Sequence, residues 1–446
     1  MESFGQWLER QHRRAAAGLL LSISPATIKS RPGFAQTIRP RKGAIVASPV
    51  PAAYDPDPDY FFHWYRDSAV VIDALRLLFE AGAVGAEALG SFADFVRFGL
   101  SLRELDGRAL VAQPAWRANV AEDLKQYVRS DADLASAYGD AVAAETRVNP
   151  DGTLDITNWA RPQHDGPALR ALAVLRWLRC APPVGVGATA DASLNADVAE
   201  LLRSDLAFTF ERARQPSFDI WEEEKGLHYY TLRVAAAALE EGAVWLDTSR
   251  EGQRAHLYGT EAGEIRRTLD GFWLAEQGYY RSRVLASGER SAKELDIAVI
   301  LAAIHAGGSG ESHTVSDPRM HATLARLDAL FDAAYPINRN RPAQRGPALG
   351  RYAGDVYYSG GAYYFSTLGA AEFCYRAAVR GAAAWRWIDR GDAYLATVRA
   401  FTPETGDMSE QFDQRTGEQT SAKQLAWSHA AFISCVAARR AVVAGS

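Results

Sequence analysis

SAVVIDALRLLFEAGAVGAEALGSFADFVRFGLSL, residues 68–102, sets apolar side chains three or four positions apart along its whole length, the period of helices that bury one face. The same period returns in GPALRALAVLRWLRC (166–180), TLRVAAAALEEGAVWL (231–246), LDIAVILAAIHA (295–306), TLGAAEFCYRAAVRGAAAWRWI (367–388) and KQLAWSHAAFISCVAARRAVV (423–443). Alternating strand patterns are scarce. Roughly twelve helices fit such a chain, enough for six helical hairpins closing into an all-α (α/α)6 barrel, a toroid expected to form a single domain over residues 1–446. The connection APPVGVGATADASL (181–194) has helix on both sides and reads as a link within that domain. Its GVGATA only imitates a dinucleotide fingerprint, because no strand precedes it.

The unusual residues fall between the helices, in PVPAAYDPDPDYFFHW (49–64), NPDGTLDITNWARPQHDGP (149–167) and GPALGRYAGDVYYSGG (346–361). In a barrel of this kind the loops at one end of the inner helices converge on one pocket, so the chemistry should be written there.

Composition excludes several classes. The 446 residues are 48% hydrophobic, with no apolar run near the length that crosses a bilayer. A net charge of −5 offers no basic stripe for phosphates, so neither nucleic acid nor an anionic membrane is expected as a partner. Cys180, Cys374 and Cys435 lie far apart without CxxC spacing and read as small core residues. At the N-terminus, ESFGQWLERQH precedes a short apolar run, which favours an amphipathic first helix with Trp7, Leu8, Leu19, Leu20 and Leu21 towards the core over a signal sequence. Cytoplasmic residence is the default, or secretion if a leader has been removed.

The nine histidines show no HxH or HExxH, and no G-x-S-x-G elbow is present, so metal and serine chemistry lack support and no cofactor is expected. Carboxylates beside aromatics remain: Glu222 in FDIWEEEKG (218–226) and Glu410 in GDMSEQFDQRTGEQ (406–419). An acidic run is ordinarily a solvated face. Glycoside hydrolysis, however, uses two carboxyl groups, one protonated and one ionised. Trp221 would exclude water from such an acid and raise its pKa, and loop Trp and Tyr rings could stack on sugar faces. On the residues alone that reading stands beside one in which the loop aromatics cap a core.

Five ordered segments carry a resemblance: PDYFFHWYRDSAVVIDAL (58–75), WARPQHDGPALRALA (159–173), FDIWEEEKGLHYYTLRVAAAAL (218–239), GRYAGDVYYSGGAYYFSTLGAAE (350–372) and GDMSEQFDQRTGEQTSAKQLAWSHAAF (406–432). With KGAIVASP (42–49), they resemble the segments of glucoamylases of glycoside hydrolase family 15, nearest in layout to the single-domain fungal barrels. The resemblance implies an (α/α)6 barrel whose pocket removes glucose from non-reducing ends with inversion. It implies Glu222 as general acid, Glu223 as a sugar contact and Glu410 as general base, with Gln411 and Tyr60 orienting the water. It further implies that Arg66 and Asp67 grip the terminal glucose, that Trp64 walls the pocket, that Trp159 packs against acid and sugar, and that Arg351 binds sugar. Arg161 and Asp165 could brace their loop or touch substrate. His63, His164 and His228 read as hydrogen-bonded structural histidines, and Glu224 as solvated surface.

Gly361, Ala362 and Tyr363 stand where the fungal members carry Asn-Pro-Trp. The default α-1,4 linkage therefore has α-1,6 glucosides such as isomaltose, or trehalose, as alternatives, and a non-catalytic sugar-binding toroid as a further one. No starch-binding module is expected after the barrel, which favours soluble oligosaccharides as substrate. The default assembly is a monomer.

Overall fold

The structure is a computed structural model that describes residues 2–54, 56–180, 192–308, 310–379 and 384–443. Residues 181–191 of the connection considered above lie outside the described residues. The α-helices are α1 (Phe4–Ser22), α2 (Tyr65–Glu80), α3 (Glu87–Ser101), α4 (Gly107–Ala112), α5 (Asp131–Ser136), α6 (Asp165–Cys180), α7 (Ala192–Arg212), α8 (Tyr229–Thr248), α9 (Gly252–Asp270), α10 (Ala298–Ala306), α11 (Pro318–Ala334), α12 (Tyr364–Ala378), α13 (Ala384–Phe401) and α14 (Ala426–Val443). Helices α2, α6, α8, α10, α12 and α14 pack each on the next, and α14 closes on α2. Helices α3, α7, α9, α11, α13 and α1 back onto α2, α6, α8, α10, α12 and α14 respectively. This is the (α/α)6 barrel that the helical period predicts.

The two rings differ because of what surrounds them. An inner helix meets two ring neighbours, an outer helix and the barrel axis, so it must be apolar or small on every side. Accordingly α8 is buried without a break from Tyr229 to Leu239, and α12 from Tyr364 to Tyr375. Outer helix α9 buries only Tyr258, Ala262, Ile265 and Leu269, one stripe at helical spacing.

Helix α1 starts with a capping box between Ser3 and Gln6 and buries Trp7, Leu8 and Leu19 as expected. Leu20 and Leu21 do not follow: they are 41% and 61% exposed. The buried set runs through Gln11, Ala15, Gly18, Leu19 and Ser22, and one or two further residues of about 100° each rotate positions 20 and 21 off that stripe.

Strands are short and lie in the loops: β1 (Lys29–Arg31) with β2 (Gln36–Ile38), β3 (His63–Trp64) with β4 (Arg147–Val148), the sheet of β5 (Ser217–Phe218), β6 (Lys225–His228) and β9 (Arg283–Leu285), β7 (Trp273–Leu274) with β8 (Tyr279–Tyr280), and β10 (Gln411–Phe412) with β11 (Gln419–Thr420), all antiparallel. Among the described residues no helix is long and apolar enough to cross a membrane, and the three cysteines are unpaired.

Candidate active site

Each inner helix is entered from a loop at the same end of the barrel, and the sequence-predicted residues lie in those loops or, for Arg66, Asp67 and Asp165, in the first turn of the helix that follows. Trp64 precedes α2, Trp159 precedes α6, Glu222 precedes α8, Asp296 precedes α10, Arg351 precedes α12 and Glu410 precedes α14. Tyr60, Trp64, Arg66, Asp67, Trp221, Glu222, Arg351 and Glu410 border one pocket at this end, together with Phe365 and Trp427.

Glu222 sits in the turn between β5 and β6. Asp219 anchors that turn: its carboxylate accepts the backbone N–H groups of Trp221 at 2.7 Å and Glu224 at 2.8 Å, while the Glu222 N–H donates to the Asp219 carbonyl at 2.9 Å. Glu222 itself has φ +67°, a left-handed conformation that a residue with a Cβ adopts at a cost and that clusters at functional sites. Buried Arg283 ties the turn to the third strand, donating to Asp219 at 3.1 Å and to Glu224 at 2.9 Å. On β6, a Cβ added to Gly226 would stand 2.3 Å from the carbonyl oxygen of Val284 on β9. Gly226→Ala is therefore expected to push β6 off β9 and cost about 1–3 kcal/mol, with a loss of activity out of proportion to that destabilisation. Thermal unfolding and maltose hydrolysis by the same variant check it, and an unchanged kcat would refute the coupling.

Three N–H donors converge on the Glu222 carboxylate. Trp64 Nε1 donates at 2.8 Å and Arg66 Nη2 at 3.1 Å to one oxygen, and Trp159 Nε1 donates to the other. Arg66 also donates to Gln163 and Asp165, each at 3.0 Å, and lies 3.9 Å from Asp67. Its Nε is buried without a partner. Behind the two tryptophans the guanidinium of Arg147 stacks 3.6 Å from the Trp159 ring and 4.8 Å from the Trp64 ring, held by Asp155 at 2.8 Å. Burial pushes the Asp67 carboxyl up to about 7, against the pull of Arg66.

Glu410 lies opposite in chain order, at the foot of the β10–β11 hairpin. Its backbone pairs with Ala422, and Ser421 Oγ–H donates to its carboxylate. Desolvation pushes its pKa up to about 7, while Ser421 and Arg351 pull it back. Tyr60 shares a 2.7 Å hydrogen bond with Tyr357, and its hydroxyl lies within the field of both Glu410 and Glu222.

Several residues take places other than those expected. Trp221 does not shield Glu222. Its indole N–H donates to Asp296 at 2.8 Å and its ring stacks with Phe365 and Trp427 as the pocket floor; Trp64 and Trp159 are the rings that reach Glu222. Gln411 is fully buried away from the pocket, donating to Tyr357 O and Tyr363 Oη and accepting from Ser359, so its amide has no capacity left to orient a water. Glu223 is held by Arg351 at 3.2 Å, Lys293 at 2.7 Å and Tyr352. Glu224 is not free surface but a partner of Arg283 and Ser291, because the turn curls it back over β9. Arg161 braces its loop through Glu145 at 2.6 Å and Asp155 at 3.0 Å, and Asp165 backs Arg66. His63, His164 and His228 are buried, and burial lowers the pKa of each. Tyr357, Ser421 and Trp427 were not singled out from sequence. Trp427 opens an inner helix, a signal that could have found it, whereas Ser421 reaches Glu410 only through the hairpin register.

Among the described residues no three His, Cys, Asp or Glu side chains form a metal-binding group. Two carboxylates on facing loops of one pocket, with a buried arginine-aspartate pair and an aromatic floor at the mouth of an (α/α)6 barrel, define a glycoside hydrolase. The model of glycosyl hydrolases family 15 matches residues 32–92, 141–391 and 389–437, and the chain belongs to that family. It is similar to the probable glucoamylase of Schizosaccharomyces pombe, 27% identical across 99% of this chain and 93% of the relative. It is also similar to glucoamylase 1 of Rhizopus oryzae, 25% identical across 97% of this chain and 70% of that protein. Among solved structures, the glucoamylase of Saccharomycopsis fibuligera superposes with a TM-score of 0.80 at 20% identity, over 100% of this chain and 97% of that one. The glucoamylase of Hormoconis resinae superposes with a TM-score of 0.74 at 26% identity, over 98% and 74%.

Proposed function

We propose that this glycoside hydrolase is an exo-acting, inverting α-glucosidase that releases glucose from the non-reducing ends of α-linked gluco-oligosaccharides. Glu222 gives its proton to the glycosidic oxygen, and Glu410 takes one from a water that attacks the anomeric carbon from the opposite face. The observation that carries this reading is that Glu222 and Glu410, 188 positions apart in the sequence, border the same pocket from the loops before α8 and α14. Trp64, Trp159 and Arg66 are placed to stabilise the charge left on Glu222 once its proton is gone. Arg66 and Asp67 both border the pocket, and Asp67, with its nearest cation 3.9 Å away, has carboxylate lone pairs available to the outer hydroxyls of a terminal glucose.

Proton NMR of fresh product tests the mechanism. Maltose should give β-glucose first, and α-glucose first would overturn inversion. Initial rates should favour maltose over isomaltose and trehalose; the reverse order would assign the linkage differently.

Ser421 gives a pH prediction. Its hydroxyl favours the ionised form of Glu410, so Ser421→Ala should raise a pKa that already stands at about 7. A general base must be ionised, so the acidic limb of the kcat/KM profile should move to higher pH by about 0.5–1 unit. A limb that stays in place would remove Glu410 from the base role.

A further inference from the structure

On the barrel's flank, the β1–β2 hairpin, helix α4 and the loop 151–156 enclose a groove of about 450 Å³ that the catalytic chemistry does not use. Its volume falls within the ~300–1,000 Å³ range of small-molecule sites. Part of its wall, including Asp106, Trp116 and Asn119, comes from the stretch between the two matched segments 32–92 and 141–391. We propose that the groove is a second, non-catalytic glucan site that holds a neutral α-glucan chain. The proposal rests on the glucosidase reading for its choice of ligand.

The chemistry of the walls selects that ligand. The floor is apolar, with Leu154 and Ile156 buried beneath it. Trp116 is half-buried at the side, and its indole N–H is already spent on the Leu110 carbonyl at 3.1 Å. The Arg117 guanidinium lies over the ring at 4.7 Å from its centroid, and what Trp116 offers is the part of the ring that lines the groove, apolar surface that suits the C–H face of a pyranose. Around the rim, the side chains of Gln36, Thr37 and Asn119 have no hydrogen-bond partner among the described residues. These amides and this hydroxyl both donate and accept, as sugar hydroxyls require. Asp151 adds a carboxylate with no cation beside it, whereas Asp106 is already held by Arg108 at 2.7 Å; among the described residues no lysine or arginine side chain lines the groove. A phosphate or other anion would meet the carboxylate of Asp151 without a counter-charge in the groove wall, whereas a neutral polyol would not.

The position also fits. The loop that forms one wall, 151–156, continues within three residues to Trp159, whose indole donates to Glu222. A glucan held in the groove is thus tethered on the structural unit that carries a catalytic-site residue, and long substrates gain local concentration that maltose cannot use.

β-Cyclodextrin separates the two sites, because a closed α-1,4 ring has no non-reducing end to enter the catalytic pocket. Calorimetric titration of the whole chain should show saturable binding below about 10 mM. Trp116→Ala should weaken it at least about tenfold. Because Trp116 also packs on Phe34, Val120 and Ile156, Thr37→Arg supplies a variant at an exposed strand position that blocks the groove without touching the core. Both variants should keep wild-type kcat/KM on maltose and lose about two- to fivefold on long soluble amylose. No binding by the wild type, binding unchanged by Thr37→Arg, or an equal loss on maltose and amylose would each overturn the groove site. Failure of the glucosidase reading would show instead as wild-type protein that leaves maltose intact.

Discussion

Glu222→Gln should lower kcat on maltose by about three orders of magnitude with little change in KM, since general acid catalysis supplies about 10²–10⁴ in rate and a residue acting on the transition state alone leaves ground-state binding in place. Glutamine keeps the size of the side chain and an oxygen for Trp64 Nε1 or Trp159 Nε1, so the turn anchored by Asp219 should persist. The decisive substrate is α-glucosyl fluoride, whose leaving group departs without a proton. On it, Glu222→Gln should recover to within about tenfold of the wild type, whereas Glu410→Gln should stay impaired because the attacking water still lacks its base. Rescue of Glu410→Gln in place of Glu222→Gln would exchange the two roles. Loss of both variants' activity on maltose with equal rescue would refute the division of labour altogether.

The barrel was legible because ring closure is written locally. Six inner helices must be apolar or small on all sides, and TLRVAAAALEEGAVWL and LDIAVILAAIHA show it without any knowledge of their neighbours. Tyr60 and Trp64, in the loop before α2, and Arg66 and Asp67, in its first turn, border the pocket, and what pointed to them in the sequence was the family resemblance of PDYFFHWYRDSAVVIDAL and not their spacing. What sequence could not supply was direction. Nothing in WEEE says that the left-handed backbone at Glu222 turns Glu222 to the tryptophans, Glu223 to Arg351 and Lys293, and Glu224 back to Arg283. Gln411 failed for the same reason: the β10–β11 register sends Glu410 to the pocket and the next residue to the opposite face. Ser421 was invisible because its partner is set by that hairpin pairing, eleven positions away.

Arg66→Met should cost both stability and catalysis, and the two losses have a common origin. Arg66 is 4% exposed, and its guanidinium is the cation shared by Asp165 at 3.0 Å, Glu222 at 3.1 Å and Asp67 at 3.9 Å. One oxygen of Asp165 is already buried without a hydrogen bond, so removing Arg66 leaves that carboxylate with neither charge nor donor to compensate it. Breaking a buried pair from one side costs about 3–5 kcal/mol, visible as a lower denaturant midpoint. Catalysis should fall by at least about 10³ in kcat/KM, because the donor to Glu222 and the grip on the sugar vanish together. Asp67→Asn separates these contributions. Its carboxyl is already pushed up to about 7 and its cation is distant, so a neutral amide of the same shape should leave stability near the wild-type value. It should still lose the charge-assisted bond to a sugar hydroxyl, about 10- to 100-fold in kcat/KM, mainly through KM. If Asp67→Asn destabilised the fold as much as Arg66→Met while binding maltose normally, the pair would be a structural ion pair and its assignment to the terminal glucose would fall.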